Sequence, residues 1–272
     1  MVGQYNLKQR LSELISNKRF PRFIILSGAK GSGKKMLSEW IAEKLSVDFL
    51  YFLPDIRMET VRKMINDAYT INGKVLFVIP DASNMSIVAQ NALLKITEEP
   101  PKQTYFIMTV EDHYDVLETL RSRATGFSME RYTPSDIDDY INTQCTMGSD
   151  LLQIIHDLCE TPGDVNLLVE MNVHDFYDYV QKVVDNIATV SGANVFKVAN
   201  KLAIKDDNGY DLKMFWKAFI KVCVIRGLRE KNGKFLKVVP FTGDCIKDLR
   251  IRGINKSMLF DRWLLGVRKE WM

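Results

Sequence analysis

The sequence of 272 residues has few cysteines and no long apolar run, and these two absences exclude several protein classes. Its four cysteines include no CxxC pair, which argues against a zinc knuckle and against a disulfide framework. We therefore expect reduced, mostly buried thiols at Cys145, Cys159, Cys223 and Cys245. No segment approaches the ~20 consecutive apolar residues of a membrane helix, and no apolar stretch follows the first charged residues. The sequence thus predicts a cytoplasmic protein without a membrane segment.

The composition is that of an ordinary globular protein, with 46% hydrophobic and 26% charged residues. The length suits two or three domains, because domains usually contain about 100–150 residues. Charge is unevenly distributed: residues 1–172 carry 18 basic and 23 acidic residues, whereas residues 173–272 carry 19 and 11. A basic last third is compatible with contact to nucleic acid or to an acidic partner, and equally with a solvated helical surface.

One segment shows the order strand, glycine-rich loop and helix. An apolar run predicts a buried strand at 23–27, after a helix predicted at 4–19. The sequence GAKGSGKK follows at 28–35, and apolar residues then recur at helical spacing over 36–45. A GxxxxGK loop at a helix N-terminus points backbone N–H groups and the helix dipole at a phosphate. The pattern predicts a degenerate phosphate-binding loop, with a plain glycine-rich turn as the alternative, formed by Gly28, Gly31, Gly33 and Lys34.

The groups that would hold magnesium at such a loop are missing. Lys35 stands where a serine or threonine hydroxyl normally binds Mg²⁺, and an ammonium cannot ligate a cation. A second buried strand, predicted at 75–79, is followed by Pro80 where an acidic residue would complete the metal site. Asp81 comes next, either as a catalytic carboxylate or as a turn residue before a helix predicted at 84–97. We predict no metal site, and ATP as a possible ligand with weak or absent Mg²⁺-dependent hydrolysis.

Several ordered motifs carry a family resemblance. The sequence reads IRMETVRKMI at 56–65, AQNALLKITEEPP at 89–101, YFIMTV at 105–110 and LETLRSRA at 117–124. Together with the glycine loop, this series closely resembles the clamp-loader branch of the AAA+ ATPases, especially the bacterial DNA polymerase III gamma/tau and delta-prime subunits. The resemblance covers about residues 4–170.

The resemblance implies an α/β fold of three parts. These are an AAA+ P-loop domain with a parallel sheet at 1–130, a small helical lid domain at 131–172 and an all-α C-terminal collar domain at 173–272. The collar is inferred from its position rather than from a motif. Helices are expected in it at 176–190, 195–203, 212–228 and 257–271.

The resemblance also assigns roles to single residues. Arg123, in Ser-Arg-Ala, matches the arginine finger that family members supply in trans to a neighbouring subunit's ATP. The alternative is a surface arginine beside Arg121. Thr109 lies near the position called sensor 1, where a purely structural hydroxyl is the alternative. Asp164 occupies the place of the sensor-2 arginine, and because an aspartate would repel phosphate, we interpret it as an acid at a helix start.

The losses at Lys35, Pro80 and Asp164 affect the chain's own ATP site, whereas Arg123 would serve a neighbour's site. This pattern resembles delta-prime, the non-hydrolysing subunit of the loader ring, in a trimmed version without the family's four-cysteine zinc module. It implies as partners the gamma/tau-like and delta-like subunits, the sliding clamp and, through the complex, primed DNA. One alternative is an active gamma-type ATPase in which Lys34 and Asp81 suffice for slow turnover. Another is a P-loop enzyme acting on a small substrate.

Overall fold

The computed structural model describes residues 2–144, 155–156, 158–170, 173–189, 211–249, 251 and 253–271. These residues form two compact units. The first contains the residues up to Gln144 together with Glu160–Gly163, and the second contains the described residues of 155–159 and those from Asp164 onward. The domain boundaries expected at 130 and 172 stay predictions.

A five-stranded parallel sheet forms the centre of the first unit, with the strand order β2-β3-β4-β1-β5. Its strands are β1 Phe23–Ser27, β2 Phe49–Phe52, β3 Val75–Ile79, β4 Thr104–Val110 and β5 Thr125–Ser128. The predicted α/β class with a parallel sheet is confirmed, and β1 and β3 have the predicted bounds. The edge strands β2 and β5 were not predicted, because each has only four residues and is partly exposed.

Helices cover both faces of this sheet. They are α1 Tyr5–Ser16, α2 Lys34–Leu45, α3 Met58–Thr70, α4 Ile87–Ala92, α5 Leu94–Glu98 and α6 Glu118–Arg121, and a further helix, α7 Pro134–Gln144, follows the last strand. Along β1, Ile24 and Leu26 belong to the core that contains α1 and α2, whereas Phe23 and Ile25 belong to the core that contains α3 to α6. A strand that is buried on both faces needs a continuous apolar sequence, which explains why β1 is easy to recognise.

The helix predicted at 84–97 is instead two short helices, α4 and α5, so this prediction was wrong in its extent. The break lies at Leu93, whose N–H bonds to the carbonyl of Gln90 at 3.1 Å, three residues back rather than four. The first helix also begins later than predicted, because the side chain of Ser86 caps it by accepting from Ala89 N at 3.2 Å.

The second unit is helical in its described residues. Its helices are α8 Pro162–Glu170, whose first two residues belong to the first unit, α9 Val173–Thr189, α10 Leu212–Arg229, α11 Gly233–Asp248 and α12 Lys256–Trp271. Three of the four predicted collar helices correspond to α9, α10 and α12, while the helix predicted at 195–203 lies outside the described residues. Helix α11 was missed because Pro240 lies inside it. The core of this unit contains Trp216 and Trp263, and Trp263 Nε1 donates to Thr242 Oγ1 at 3.0 Å.

The cysteines of the described residues are reduced and buried, as predicted. Cys159, Cys223 and Cys245 are all free thiols, and Cys145 lies outside the described residues. Burial raises the pKa of Cys223 to about 12, so this thiol stays protonated near neutral pH. Within the described part of the chain, no helix combines the length and the apolar character needed to cross a bilayer.

The stability of the first unit should depend on the aromatic side chains that fill its sheet. Phe106 is buried, and its ring stacks on that of Phe77 at a centroid distance of 5.7 Å. We expect Phe106→Ala to lower the free energy of unfolding by about 3–5 kcal/mol, as measured by urea unfolding followed by circular dichroism. Tyr69→Ala, at a side chain on α3 that is 57% exposed, is the control and should change it by less than about 0.5 kcal/mol. Similar losses in both variants would contradict this account of the core.

Candidate functional site: a glycine loop and an exposed arginine

The glycine loop connects β1 to α2, in the order that the sequence predicted. Gly31 and Gly33 have φ angles of 79° and 86°, a left-handed conformation that glycine adopts without steric cost. Helix α2 begins at Lys34, directly after these glycines. The positive end of the α2 dipole therefore lies at the loop, which is the arrangement that favours an anion.

The ammonium group of Lys34 is bound by its own loop. Its Nζ atom donates to the carbonyl oxygen of Gly28 at 2.6 Å and to that of Ala29 at 3.0 Å. Burial lowers the pKa of Lys34, and the nearby carboxylates of Glu111 and Asp81 oppose this by favouring the charged form. An ammonium has three N–H donors, so these two bonds leave one of them for a phosphate oxygen.

A segment far along the chain packs directly onto the loop. Gly163 N donates to the carbonyl of Gly31 at 3.1 Å, and Thr161 Oγ1 donates to the carbonyl of Lys30 at 3.3 Å. A Cβ atom on Gly163 would lie 2.4 Å from the Cα atom of Gly31, a distance that real Cβ contacts do not reach. The two glycine backbones therefore touch, and nothing larger than glycine fits at either position without moving the segment.

Two side chains that follow β5 pack against other parts of the loop. The hydroxyl of Tyr132 donates to the carbonyl of Ser32 at 2.9 Å. A Cβ atom on Gly28 would lie 2.7 Å from the Cβ and Cγ atoms of Met129. The hydroxyl of Ser32 is itself buried and has no hydrogen-bond partner in the structure. The loop is thus enclosed by its own chain, with one unused polar atom inside.

Two groups expected at a Mg²⁺ site are missing, a hydroxyl at position 35 and an acidic side chain at position 80. Lys35 is exposed, and its ammonium lies 5.3 Å from the ring centroid of Phe52 in β2. Pro80 has no side-chain oxygen, and among the described residues no group of three or more His, Cys, Asp or Glu side chains could hold a metal ion. Lys34 and the loop amides fit a phosphate, because one ammonium donor is left, whereas Lys35 and Pro80 do not fit Mg²⁺.

A hydrogen bond joins the backbone of Asp81 to the side chain of Thr109. Asp81 has a left-handed backbone with φ 46°, and its N–H donates to Thr109 Oγ1 at 3.2 Å. Thr109 is buried near the end of β4. Its hydroxyl therefore links β4 to Asp81, the second residue after β3. The carboxylate of Asp81 makes no cap to the 3₁₀ turn Ala82–Asn84 and stays exposed near Lys34.

Asp164 lies in the first turn of α8, at a helix start as interpreted from the sequence. Its Oδ2 atom is 4.0 Å from the Nζ atom of Lys217 in α10. The same lysine donates to the carbonyl of Leu158 at 3.4 Å. The acid in the place of the sensor-2 arginine therefore pairs with a lysine of the second unit.

Arg123 follows α6 and is exposed. Its Nη1 atom donates to the carbonyl of Thr119 at 2.8 Å, and its Nη2 atom donates to Glu98 Oε2 at 3.2 Å. Arg121 is different, because it is half-buried and its guanidinium lies 4.7 Å from the ring centroid of Tyr114. The two arginines therefore have different contacts, and Arg123 bonds to Thr119 and Glu98 rather than to the glycine loop.

A buried side chain that was not predicted from the sequence connects α4 to the segment that carries Arg123. Gln90 Nε2 donates to the carbonyl of Met85 at 3.1 Å, and Gln90 Oε1 accepts from Leu117 N at 2.8 Å. Gln90 is in the AQNALLKITEEPP motif, and Leu117 begins the LETLRSRA motif. The presence of both motifs in one sequence could have indicated this contact, because a residue of one motif bonds to a residue of the other.

A family model described as "DNA polymerase III, delta subunit" matches residues 54–133, which include both motifs and Arg123. Among curated proteins, DNA polymerase III subunit gamma of Buchnera aphidicola is 24% identical over 170 residues, covering 52% of this chain and 47% of that protein. DNA polymerase III subunit delta-prime of Yersinia pestis is 39% identical over 71 residues, covering 25% of this chain and 21% of that protein. The chain thus matches about half or less of the length of these relatives.

Similarity of fold extends over nearly the whole chain. A crystal structure of a DNA polymerase III gamma subunit-related protein from Thermotoga maritima superposes with a TM-score of 0.56 and 14% identity, covering 97% of this chain and 99% of that one. At this identity the superposition shows the fold, and the family-model match at 54–133 adds a sequence similarity within the first unit. The chain is thus similar in sequence to DNA polymerase III gamma and delta-prime subunits over part of its length, and similar in fold to a gamma subunit-related protein over nearly all of it.

Proposed function

We propose that the chain is a delta-prime-like subunit of a DNA polymerase III clamp loader. In this role it helps to load the sliding clamp onto primed DNA during replication in the cytoplasm. It does not hydrolyse ATP itself, and it supplies Arg123 to the ATP site of a neighbouring subunit. Its direct partners are gamma/tau-like and delta-like subunits, and residues 173–272 form the collar through which these subunits associate.

One observation carries this proposal: Lys35 and Pro80 stand where a hydrolysing site needs its Mg²⁺ ligands, whereas Arg123 is present and exposed. Lys34 bonds to two loop carbonyls, and Gly163 lies directly on Gly31. Catalysis of ATP hydrolysis also needs a metal to neutralise developing charge, and Lys35 cannot bind one. The local chemistry therefore opposes turnover at this loop.

Arg123 has the properties that a residue acting in trans requires. A guanidinium keeps its charge at all physiological pH values and presents several donors that can hold phosphoryl oxygens at two points. Arg123 follows α6, which the buried Gln90 fixes through the N–H of Leu117. A neighbouring subunit could therefore meet this guanidinium at a defined place on the surface of the first unit.

A gamma-type subunit with its own ATPase activity is the second candidate. It is favoured by the preserved strand–loop–helix geometry and by the carboxylate of Asp81, which acts electrostatically on Lys34. The gamma subunit of Buchnera aphidicola also aligns over more of this chain than the delta-prime subunit of Yersinia pestis does. In this candidate the segment at Gly163 would have to leave the loop before nucleotide could bind.

The purified chain alone should hydrolyse ATP at background rate, because the metal ligands are absent and the loop is enclosed. Phosphate release measured with and without Mg²⁺ tests this. Weak nucleotide binding that does not depend on Mg²⁺ is compatible with the proposal, since Lys34 and the loop amides remain. Mg²⁺-dependent turnover that disappears in Lys34→Ala would contradict it and favour the gamma-type candidate.

In a reconstituted complex with gamma/tau-like and delta-like subunits, Arg123→Ala should lower total ATP turnover without disturbing assembly. A finger supplied in trans is worth about 10³–10⁵ in rate at one site, so loss at one of several sites gives a partial decrease in the total. Turnover at saturating ATP and size-exclusion chromatography measure the two effects.

Arg62→Ala is the matched control for this experiment, because Arg62 is an exposed arginine on α3 of the same unit. Arg121 is unsuitable, since its half-buried side chain stacks on Tyr114. Full turnover by a stoichiometric Arg123→Ala complex, or equal losses in Arg62→Ala and Arg123→Ala, would contradict the role of Arg123.

A further inference from the structure

Glu98 is the side chain that bonds to the guanidinium of Arg123. It is the last residue of α5, and its carboxylate accepts from Arg123 Nη2 at 3.2 Å. The carbonyl of Thr119 in α6 accepts from Nη1 at 2.8 Å. The guanidinium is thus held at both terminal nitrogens by acceptors from two different helices.

Both helices are fixed to the core, so these acceptors have defined positions. In α5, Ile96 and Thr97 are buried, and Thr97 Oγ1 donates to the carbonyl of Leu93 at 2.8 Å. In α6, Leu120 is fully buried. The end of α5 and the turn of α6 are therefore supported by packing, although Glu98 and Arg123 themselves lie at the surface.

We propose that Glu98 is a positioning residue for Arg123: it orders the guanidinium before a neighbouring subunit arrives. This inference rests on the proposed function of Arg123. An arginine carries five N–H donors, and the two observed bonds leave three of them for phosphoryl oxygens. A long side chain that is already ordered loses less conformational entropy when it binds.

The pair contributes to orientation rather than to stability. The side chain of Glu98 is 59% exposed and that of Arg123 is 31% exposed. Exposed ion pairs are screened by solvent and add little to the stability of a fold. Substitution of Glu98 should therefore leave the chain folded, so that a change in activity reports on Arg123.

The first test uses the reconstituted complex with Glu98→Ala in this chain. The part of the ATP turnover that depends on Arg123 should fall about three- to tenfold, the effect of ordering one long side chain. The fall should appear in kcat, with the KM for ATP unchanged, because the finger acts in the transition state. Glu98→Gln keeps an oxygen acceptor and should restore most of the rate.

Glu99→Ala is the matched control, because Glu99 is the exposed neighbour with the same charge. Turnover of the Glu98→Ala complex equal to wild type, or a loss in Glu99→Ala as large as in Glu98→Ala, would overturn the positioning role. So would a Glu98→Gln complex as slow as Glu98→Ala.

The second test uses the full chain alone, labelled with ¹⁵N-arginine. Hindered rotation should give Arg123 separate Nη resonances in the wild type, which are assigned by their loss in Arg123→Lys. In Glu98→Ala these resonances should merge, and no change would overturn the ion pair itself. The two tests separate failure of the ion pair from failure of the proposed function. If the ion pair is observed but the Arg123→Ala complex is fully active, the contact exists and the proposed function is wrong.

Discussion

The burial of β1 on both faces determines where the candidate groups lie. With helices packed on each side, the strand can lead into its loop only at its carboxyl end, and in a parallel sheet the neighbouring strands end at the same edge. Asp81 therefore follows β3, and Glu111 follows β4, close enough to act on the charge of Lys34. The loop, its lysine and two carboxylates are brought together by sheet topology alone.

What this edge of the sheet can do depends on how its polar groups are satisfied. A partly buried ammonium needs acceptors, and the carbonyl oxygens of Gly28 and Ala29 supply two for Lys34. The contact between Gly31 and Gly163 closes the loop further. These contacts fix the loop and its lysine, whereas the contribution that we propose for this chain is made elsewhere, through Arg123.

The sequence predicted the parts of the fold that depend on local pattern. Buried strands such as β1 and β3 are continuous apolar runs, and their bounds were predicted correctly. The edge strands were missed because half of their residues face solvent, and α11 was missed because Pro240 normally ends a helix. In the candidate site, too, only local features were predicted. The spacing of the motifs indicated Lys34 and Arg123 as candidate residues. It could not show that Gly163, more than a hundred residues away, packs on the loop.

The central claim is that this chain serves a neighbour's ATP site and does not use its own. The most direct measurement is the ATP turnover of a reconstituted complex in which Lys34→Ala is present in this chain only. The account predicts turnover and clamp loading equal to the wild-type complex, because Lys34 bonds to its own loop and performs no step of hydrolysis. A clear loss of turnover in that complex, with assembly intact, would show that the loop works as an ATP site and would contradict the account.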